Sequence, residues 1–262
     1  MSNTPWQRRI ARAEFLSRRH PFAAEILGFY VHLARFQEGM RERLRVETSG
    51  SVAAISPDPV QPRLLACFGP FLSIVEQVGP ERLAEIARSL REEEKSWPGL
   101  LSSCWSAPDF PQDSPQTLLA AAFLQPYAEL LRSRTQGLGA GHFTSFCPFC
   151  MRKAGLSVLR QQGDGASRSL LCSFCLEEWN FRRIICAACG EEDSRKLPVY
   201  SAAEFEHIRV ECCDSCKRYI KSIDLTKDGL AEPIVDELAS APLDLWAQER
   251  GYSKIQLNLL GL

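Results

Sequence analysis

The chain has little of what most enzymes use. Four histidines are scattered along 262 residues, and no GxSxG nucleophile elbow, GxxxxGK[ST] phosphate loop or HExxH zinc helix occurs. No run of 18 apolar residues is present, so no membrane span is expected. The net charge of -1 gives no overall attraction to nucleic acid or to an acidic membrane surface. The amino-terminal stretch "MSNTPWQRRIARAEFLSRRHPFAAEIL" lacks an uninterrupted apolar segment ending in small residues, so no leader is expected. Within it Ser17-Arg18-Arg19-His20-Pro21-Phe22 superficially resembles a twin-arginine export motif. The Glu25, His32 and Arg35 that follow suit a solvated helix face better. These absences together point to a cytoplasmic protein that is not an enzyme.

Cysteine is scarce in one half of the chain and abundant in the other. Only Cys67 and Cys104 precede residue 147, and the other nine of the eleven fall between 147 and 216. An odd count fits a fully paired disulfide set poorly, and clustered thiols in a reducing compartment more often bind metal.

The cysteine-poor half reads as helical. Ile26, Tyr30, Leu33, Phe36, Met40 and Leu44 recur at helical steps between Phe22 and Leu44. Further helices are predicted from Gln61 to Val78 behind Pro62, and from Gly79-Pro80 through Leu83, Ile86 and Leu90. Pro98, Pro108, Pro111 and Pro115 punctuate a connection, and the next helix starts with Ser114 as cap and Pro115 in its first turn, with a kink expected at Pro126. Residues 1–45 hold nine basic and four acidic side chains, the pattern of a basic exposed helix face. Gly137, Gly139 and Gly141 then break the period and mark a boundary.

Beyond that boundary short extended segments take over. "LSVLRQ" and "SRSLLC" flank Gln162-Gly163-Asp164-Gly165, a hairpin turn signal, and "EEWNFRRIIC" and "EFEHIRVECC" read as strands. A final helix is predicted from about Glu232 to Gln248.

Four CxxC pairs occupy this region: Cys147/Cys150, Cys172/Cys175, Cys186/Cys189 and Cys213/Cys216. A CxxC knuckle brings two thiolates to one ion, and a second knuckle across a hairpin completes a tetrahedron. The order of a long gap, a short gap and a long gap predicts two successive ribbons, each closed by four cysteines. A thioredoxin-like redox pair would open a helix in a βαβ pattern, which is absent. Thiolates accept zinc and iron alike, so spacing does not choose the metal. Only Cys189 is followed by glycine, so the turns at Met151, Leu176 and Lys217 are expected to differ from that at Gly190. Cys212 reads as a spare strand residue, with a register swap with Cys213 as the alternative, and His207 as a strand-surface histidine. Residues 146–226 hold twelve basic and eleven acidic side chains. Eight thiolates with two divalent ions bring the region to about -3, which disfavours a phosphate backbone as partner.

The stretches "CPFC", "LLCSFCLEEWNFRRIICAACG" and "CCDSCKRYIKSID", with Trp179, Arg183, Tyr219 and Lys221 and the tail "DELASAPLDLWAQERGY", resemble the formate dehydrogenase accessory protein family, FdhE. The resemblance is specific over residues 147 to 252 and rests on helical character and size before them. It implies a cytoplasmic factor that contacts the catalytic subunit of a respiratory formate dehydrogenase through its CxxC motifs and assists maturation before twin-arginine export. It also implies rubredoxin-like iron sites ligated by Cys147, Cys150, Cys172, Cys175, Cys186, Cys189, Cys213 and Cys216. The expected architecture is α+β: a helical domain over 1–140, tandem rubredoxin-like or zinc-ribbon four-cysteine modules over 141–226, and a helical tail over 227–262. Two tetrathiolate-bound ions, iron or zinc, and no nucleic acid belong to that expectation. A rubredoxin-like iron electron carrier is the alternative function.

Overall fold

The computed structural model describes residues 4–47, 58–107, 114–135, 144–258 and 260–261. The chain divides into two compact units, one over Met1–Gln136 with Leu259–Gly261 and one centred on Gly137–Asn258. The Gly137 to Gly141 boundary, His142, Pro108 and Pro111 lie outside the described residues.

The first unit is helical: α1 (Pro5–Arg19), α2 (Ala24–Glu47), α3 (Pro62–Val78), α4 (Glu81–Glu92), α5 (Trp97–Ser106) and α6 (Pro115–Arg134). Thr4 and Gln7 form a capping box at the start of α1. Arg18 and Arg19 form the last turn of α1, where basic charge meets the negative end of the helix dipole. Prolines open α1, α3, α5 and α6, positions at which a missing N–H costs nothing. That tolerance explains a difference from the sequence reading: Pro98 starts α5 inside what was expected to be an irregular connection. Ser114 caps α6 as predicted, its side chain accepting the Thr117 N–H.

Helix α6 is buried along most of its length and forms the centre of this unit. The Phe123 ring lies 4.8 Å from Phe68, which in turn meets Trp97 edge-on at 5.2 Å. Pro126 sits within α6 and has no N–H for the carbonyl four residues earlier. That carbonyl, Ala122 O, instead accepts the side-chain amide of Gln37 from α2 at 2.6 Å. Gln37 is thus a buried polar residue whose donor fills a hydrogen bond that proline leaves open.

Among its described residues the second unit is a seven-stranded sheet with two α-helices. Its strands are β1 (Leu156–Gln162), β2 (Gly165–Leu171), β3 (Glu178–Phe181), β4 (Val199–Ser201), β5 (Ile208–Cys213), β6 (Arg218–Asp224) and β7 (Ser253–Lys254), in the order β3-β2-β1-β6-β5-β4 with β7 against β6. The β1–β2 turn uses Gly163 at φ +56°, as the glycine signal predicted. Strand β3 takes up only the first part of "EEWNFRRIIC", and β5 only the second part of "EFEHIRVECC". Each set of three consecutive strands is an antiparallel meander, and parallel pairing of β1 with β6 joins the two into one sheet.

The predicted final helix is two helices, α7 (Pro233–Ala239) and α8 (Ala241–Glu249), separated at Ser240. Pro242 lies in the first turn of α8 and cannot donate back to Leu238, so the chain breaks there. One face of the sheet packs a core of Ile208, Val210, Tyr219 and Ile223 against Leu243, Ala247 and Tyr252 of the α8 region. No helix among the described residues is long and apolar enough to cross a membrane.

Candidate metal centres

All four knuckles share one backbone path. The residue after the second cysteine of each pair is left-handed: Met151 at φ 60°, Leu176 at 58°, Gly190 at 78° and Lys217 at 54°. Its N–H returns to the first cysteine's carbonyl, over 2.9 Å from Met151 to Cys147, 3.2 Å from Leu176 to Cys172, 3.0 Å from Gly190 to Cys186 and 2.9 Å from Lys217 to Cys213. The expectation of different turns at the three non-glycine positions is therefore corrected. Closing the knuckle requires a positive φ whatever the side chain, so three residues with a Cβ accept a conformation that glycine adopts freely.

The sheet then brings the knuckles together in pairs. Cys172 and Cys175 lie in the turn from β2 to β3, while Cys213 ends β5 and Cys216 lies in the turn from β5 to β6. Each faces a knuckle that precedes its meander. Cys147 and Cys175 sulfurs lie 3.4 Å apart and Cys150 and Cys172 sulfurs 3.5 Å apart. In the second group Cys186 and Cys216, and Cys189 and Cys213, lie 3.7 Å apart. Four sulfurs bound at about 2.3 Å around one ion stand about 3.8 Å from each other, so both groups fit a tetrahedral thiolate site. All eleven cysteines are free thiols. Cys212 stays outside the group: it packs in the sheet core, paired with Tyr219. Burial, then the charges of Asp214 and Cys213, push its thiol up to about 12, which keeps it neutral.

The two groups have different surroundings. Cys147, Cys172 and Cys175 are buried, and the Arg152 guanidinium beside them stacks on Phe174 at 3.6 Å. In the second group Cys189 is exposed and Cys216 half-buried. Hydrogen bonds with Cys147, Cys172 and Cys175 hold the Cys150 thiol far below its usual range, while burial, followed by hydrogen bonds with Cys147 and Cys150, pushes Cys172 up. Protons shared among crowded sulfurs in this way are those a divalent ion displaces when it binds.

Trp179 is buried in β3 and donates its indole N–H to Thr144 O at 2.8 Å, fixing the chain that leads into the first knuckle. Tyr219 and Lys221 of β6 face the helices on the side of the sheet that holds Cys212, and they bond to α7 and α8 rather than to the four-sulfur groups. Lys221 Nζ donates to Glu237 O and Asp244 Oδ2, each at 2.6 Å, and Tyr219 OH donates to Asp244 Oδ1 at 2.8 Å. Lys254 pairs with Glu237 and with Asp244, and Asn258 donates to Glu237 at 2.6 Å. Two cations and two carboxylates are thereby enclosed between sheet and helices, and Lys221 and Lys254 hold the Glu237 carboxyl at about 2 against the opposing effect of burial. Glu237 and Asp244 lie in the tail that carries part of the resemblance, but nothing local in the sequence marks them, or Lys254 beyond it, as partners of a buried lysine. His207 is not on a strand surface: it lies in the turn before β5 and meets Asp236 at 2.8 Å. Asp228 completes a three-residue group there, with Asp228 and Asp236 also accepting the N–H groups of Leu230 and Glu232.

Residues 146–183 match the model described as FdhE, central domain, and residues 184–260 match FdhE, C-terminal domain. The chain is similar to an FdhE homolog of Aquifex aeolicus, 29% identical over 96% of this chain and 94% of that one. It is also 37% identical to an FdhE homolog of Pseudomonas aeruginosa and 35% identical to one of Haemophilus influenzae, over 44% and 43% of this chain. Those two matches span 39% and 37% of the relatives' length. Among solved structures, the crystal structure of the FdhE protein from Pseudomonas aeruginosa superposes with a TM-score of 0.67 at 25% identity, covering 99% of this chain and 96% of that one.

Proposed function

This chain belongs to the FdhE family, and we propose that it is an accessory factor for a respiratory formate dehydrogenase. In this reading it binds the enzyme's catalytic subunit in the cytoplasm and supports its maturation before export, without catalysing a reaction of its own. The division at 1–140, 141–226 and 227–262 then has a functional sense: a helical body, a metal-ribbon region that meets the client, and a tail that braces the ribbons.

The observation that carries the reading is the pair of four-sulfur groups on four matching knuckles, in a chain similar to FdhE proteins along its length. Cys147, Cys150, Cys172 and Cys175 would hold one iron or zinc ion, and Cys186, Cys189, Cys213 and Cys216 the other. A bound ion cross-links two knuckles and, if it is iron, offers a one-electron couple. Four thiolates leave no open position for substrate, which favours a fastening role over Lewis-acid chemistry. Replacing Cys172 and Cys175 together with serine should remove one metal ion per chain and weaken retention of the catalytic subunit in a pull-down. Undiminished retention by the metal-depleted variant would sink the docking role.

The exposure of Cys189 favours a second reading, a rubredoxin-like electron carrier. Anaerobic reductive titration separates the two: a reversible iron couple that reduces a partner supports the carrier, and bound zinc ends it.

A further inference from the structure

The sheet face turned away from α7 and α8 holds a cavity of about 400 Å³, entirely within the second unit. Strand alternation places it there: Lys221 points to the helices, so Ile220 points to the opposite side and lines the cavity. Leu159, Leu197 and Ile255 add to its apolar wall. Two of its apolar side chains are open to solvent, Ile184 at 61% and Val199 at 56% exposure.

Arg168, Arg183, Arg209 and Arg218 line the cavity among the described residues with one carboxylate, Glu211, and with Cys186 and Cys213 of the second four-sulfur group, which carries about -2 when loaded with a divalent ion. Arg168 is committed to Glu211, and Arg209 to Asp224. Arg183 and Arg218 donate to the backbone carbonyls of Ala166 and Lys254, and neither meets a carboxylate among the described residues. Alongside runs β4, the end of the sheet. Pro198 O accepts the Cys212 N–H, so by antiparallel alternation Tyr200 turns its backbone groups to β5 while Val199 and Ser201 turn theirs outward.

We propose that this cavity and the outer edge of β4 dock an extended acidic segment of the client subunit, with apolar side chains in the cavity and carboxylates on Arg183 and Arg218. The proposal rests on the client role given above and names its surface. An open strand edge supplies main-chain hydrogen bonds, a neighbouring apolar pocket takes alternate side chains, and unmatched guanidiniums select the charge of the segment. Charge complementarity is local to the two guanidiniums: Cys186 and Cys213 of the loaded site share the cavity wall, so a carboxylate is attracted where Arg183 and Arg218 reach it and repelled elsewhere on the acidic region.

The test measures binding of overlapping synthetic peptides, tiled over the formate dehydrogenase catalytic subunit, to the full-length metal-loaded chain by fluorescence anisotropy. Retention of the whole subunit is measured in parallel. One acidic, apolar peptide should bind, and the double variant R183E/R218E should weaken it by about tenfold or more. Replacing that peptide's acidic residues with lysine should abolish wild-type binding and restore binding to the double variant, which loss of folding would not do. Ile184→Asp, at an exposed position, should also weaken binding with metal content unchanged. Retention of the whole subunit equally by wild type and variants would overturn the docking site while leaving the client role standing. Displacement of the peptide by inorganic phosphate alone, or variant-sensitive self-association in sedimentation, would overturn it in favour of a small-anion site or a second copy of the chain. Failure of the wild type to retain the subunit would bring down the client role and this site with it.

Discussion

Replacing Lys221 with methionine tests the enclosed charge network. The side chain is fully buried and reaches Asp244, Glu237 O and Ser240. In the wild type two cations and two carboxylates balance; after Lys221→Met, Lys254 alone faces Glu237 and Asp244. Leaving one buried carboxylate uncompensated costs about 3–5 kcal/mol, which corresponds to about two to four orders of magnitude in a local opening constant. The two compact units make a single global unfolding transition a poor measure. Hydrogen exchange read by peptide resolves β6 and α8 directly, and their amides should exchange faster by that factor while those of α6 are unchanged. Adding Asp244→Asn removes the orphaned charge, so the double variant should lose less protection than the Lys221→Met single variant. Protection of β6 retained within about threefold, or strictly additive losses, would refute a network held by mutual compensation.

Three further outcomes are expected. Met151→Gly, Leu176→Gly and Lys217→Gly should each stabilise the knuckle by about 0.5–1 kcal/mol by relieving left-handed strain, and Gly190→Ala should weaken it; chelator concentration at half release of metal reads both. Gln37→Leu should destabilise the helical unit by about 1–3 kcal/mol by stranding Ala122 O, and Pro126→Ala should reduce that loss by restoring the helical donor, measured by hydrogen exchange in α6. Glu237 has a lowered carboxyl pKa of about 2, so its contribution is present above the ordinary carboxylate range and is lost as pH falls from about 4 to 2. The stability difference between wild type and Glu237→Gln should therefore shrink over that window. Both proteins carry the same thiols, so acid release of metal affects them alike.

The parts of the fold that obey simple periodicity were legible in the sequence. α2, α3, α4 and α6 begin and end near proline, glycine and serine signals, and the glycine at 163 marked the hairpin between β1 and β2. The spacing of the CxxC pairs gave the grouping of eight sulfurs. Strand β6 was hidden because "RYIKSID" carries lysine, serine and aspartate on a strand that is buried from Tyr219 onward. Their partners, Asp244, Glu211 and Arg209, are distant in sequence, so local polarity reads as exposure where the fold supplies compensation. The turns at Met151, Leu176 and Lys217 were misread for a related reason. Backbone closure of the knuckle outweighs the residue's own preference for negative φ.

The parallel pairing of β1 with β6 also sets an order of events as the chain is made. β1 emerges early with β2 and β3, and the first knuckle pair can close around them at once. One edge of β1 nevertheless stays open until Lys221 to Asp224 have been synthesised, since these pair with Leu156 to Leu159. An open edge of this kind recruits other strands, and pairing across so long a chain segment is slow. The second meander, with its own cysteines, must therefore be complete before the first is sealed, and a nascent chain stalled between the two presents a sticky half-sheet to its surroundings.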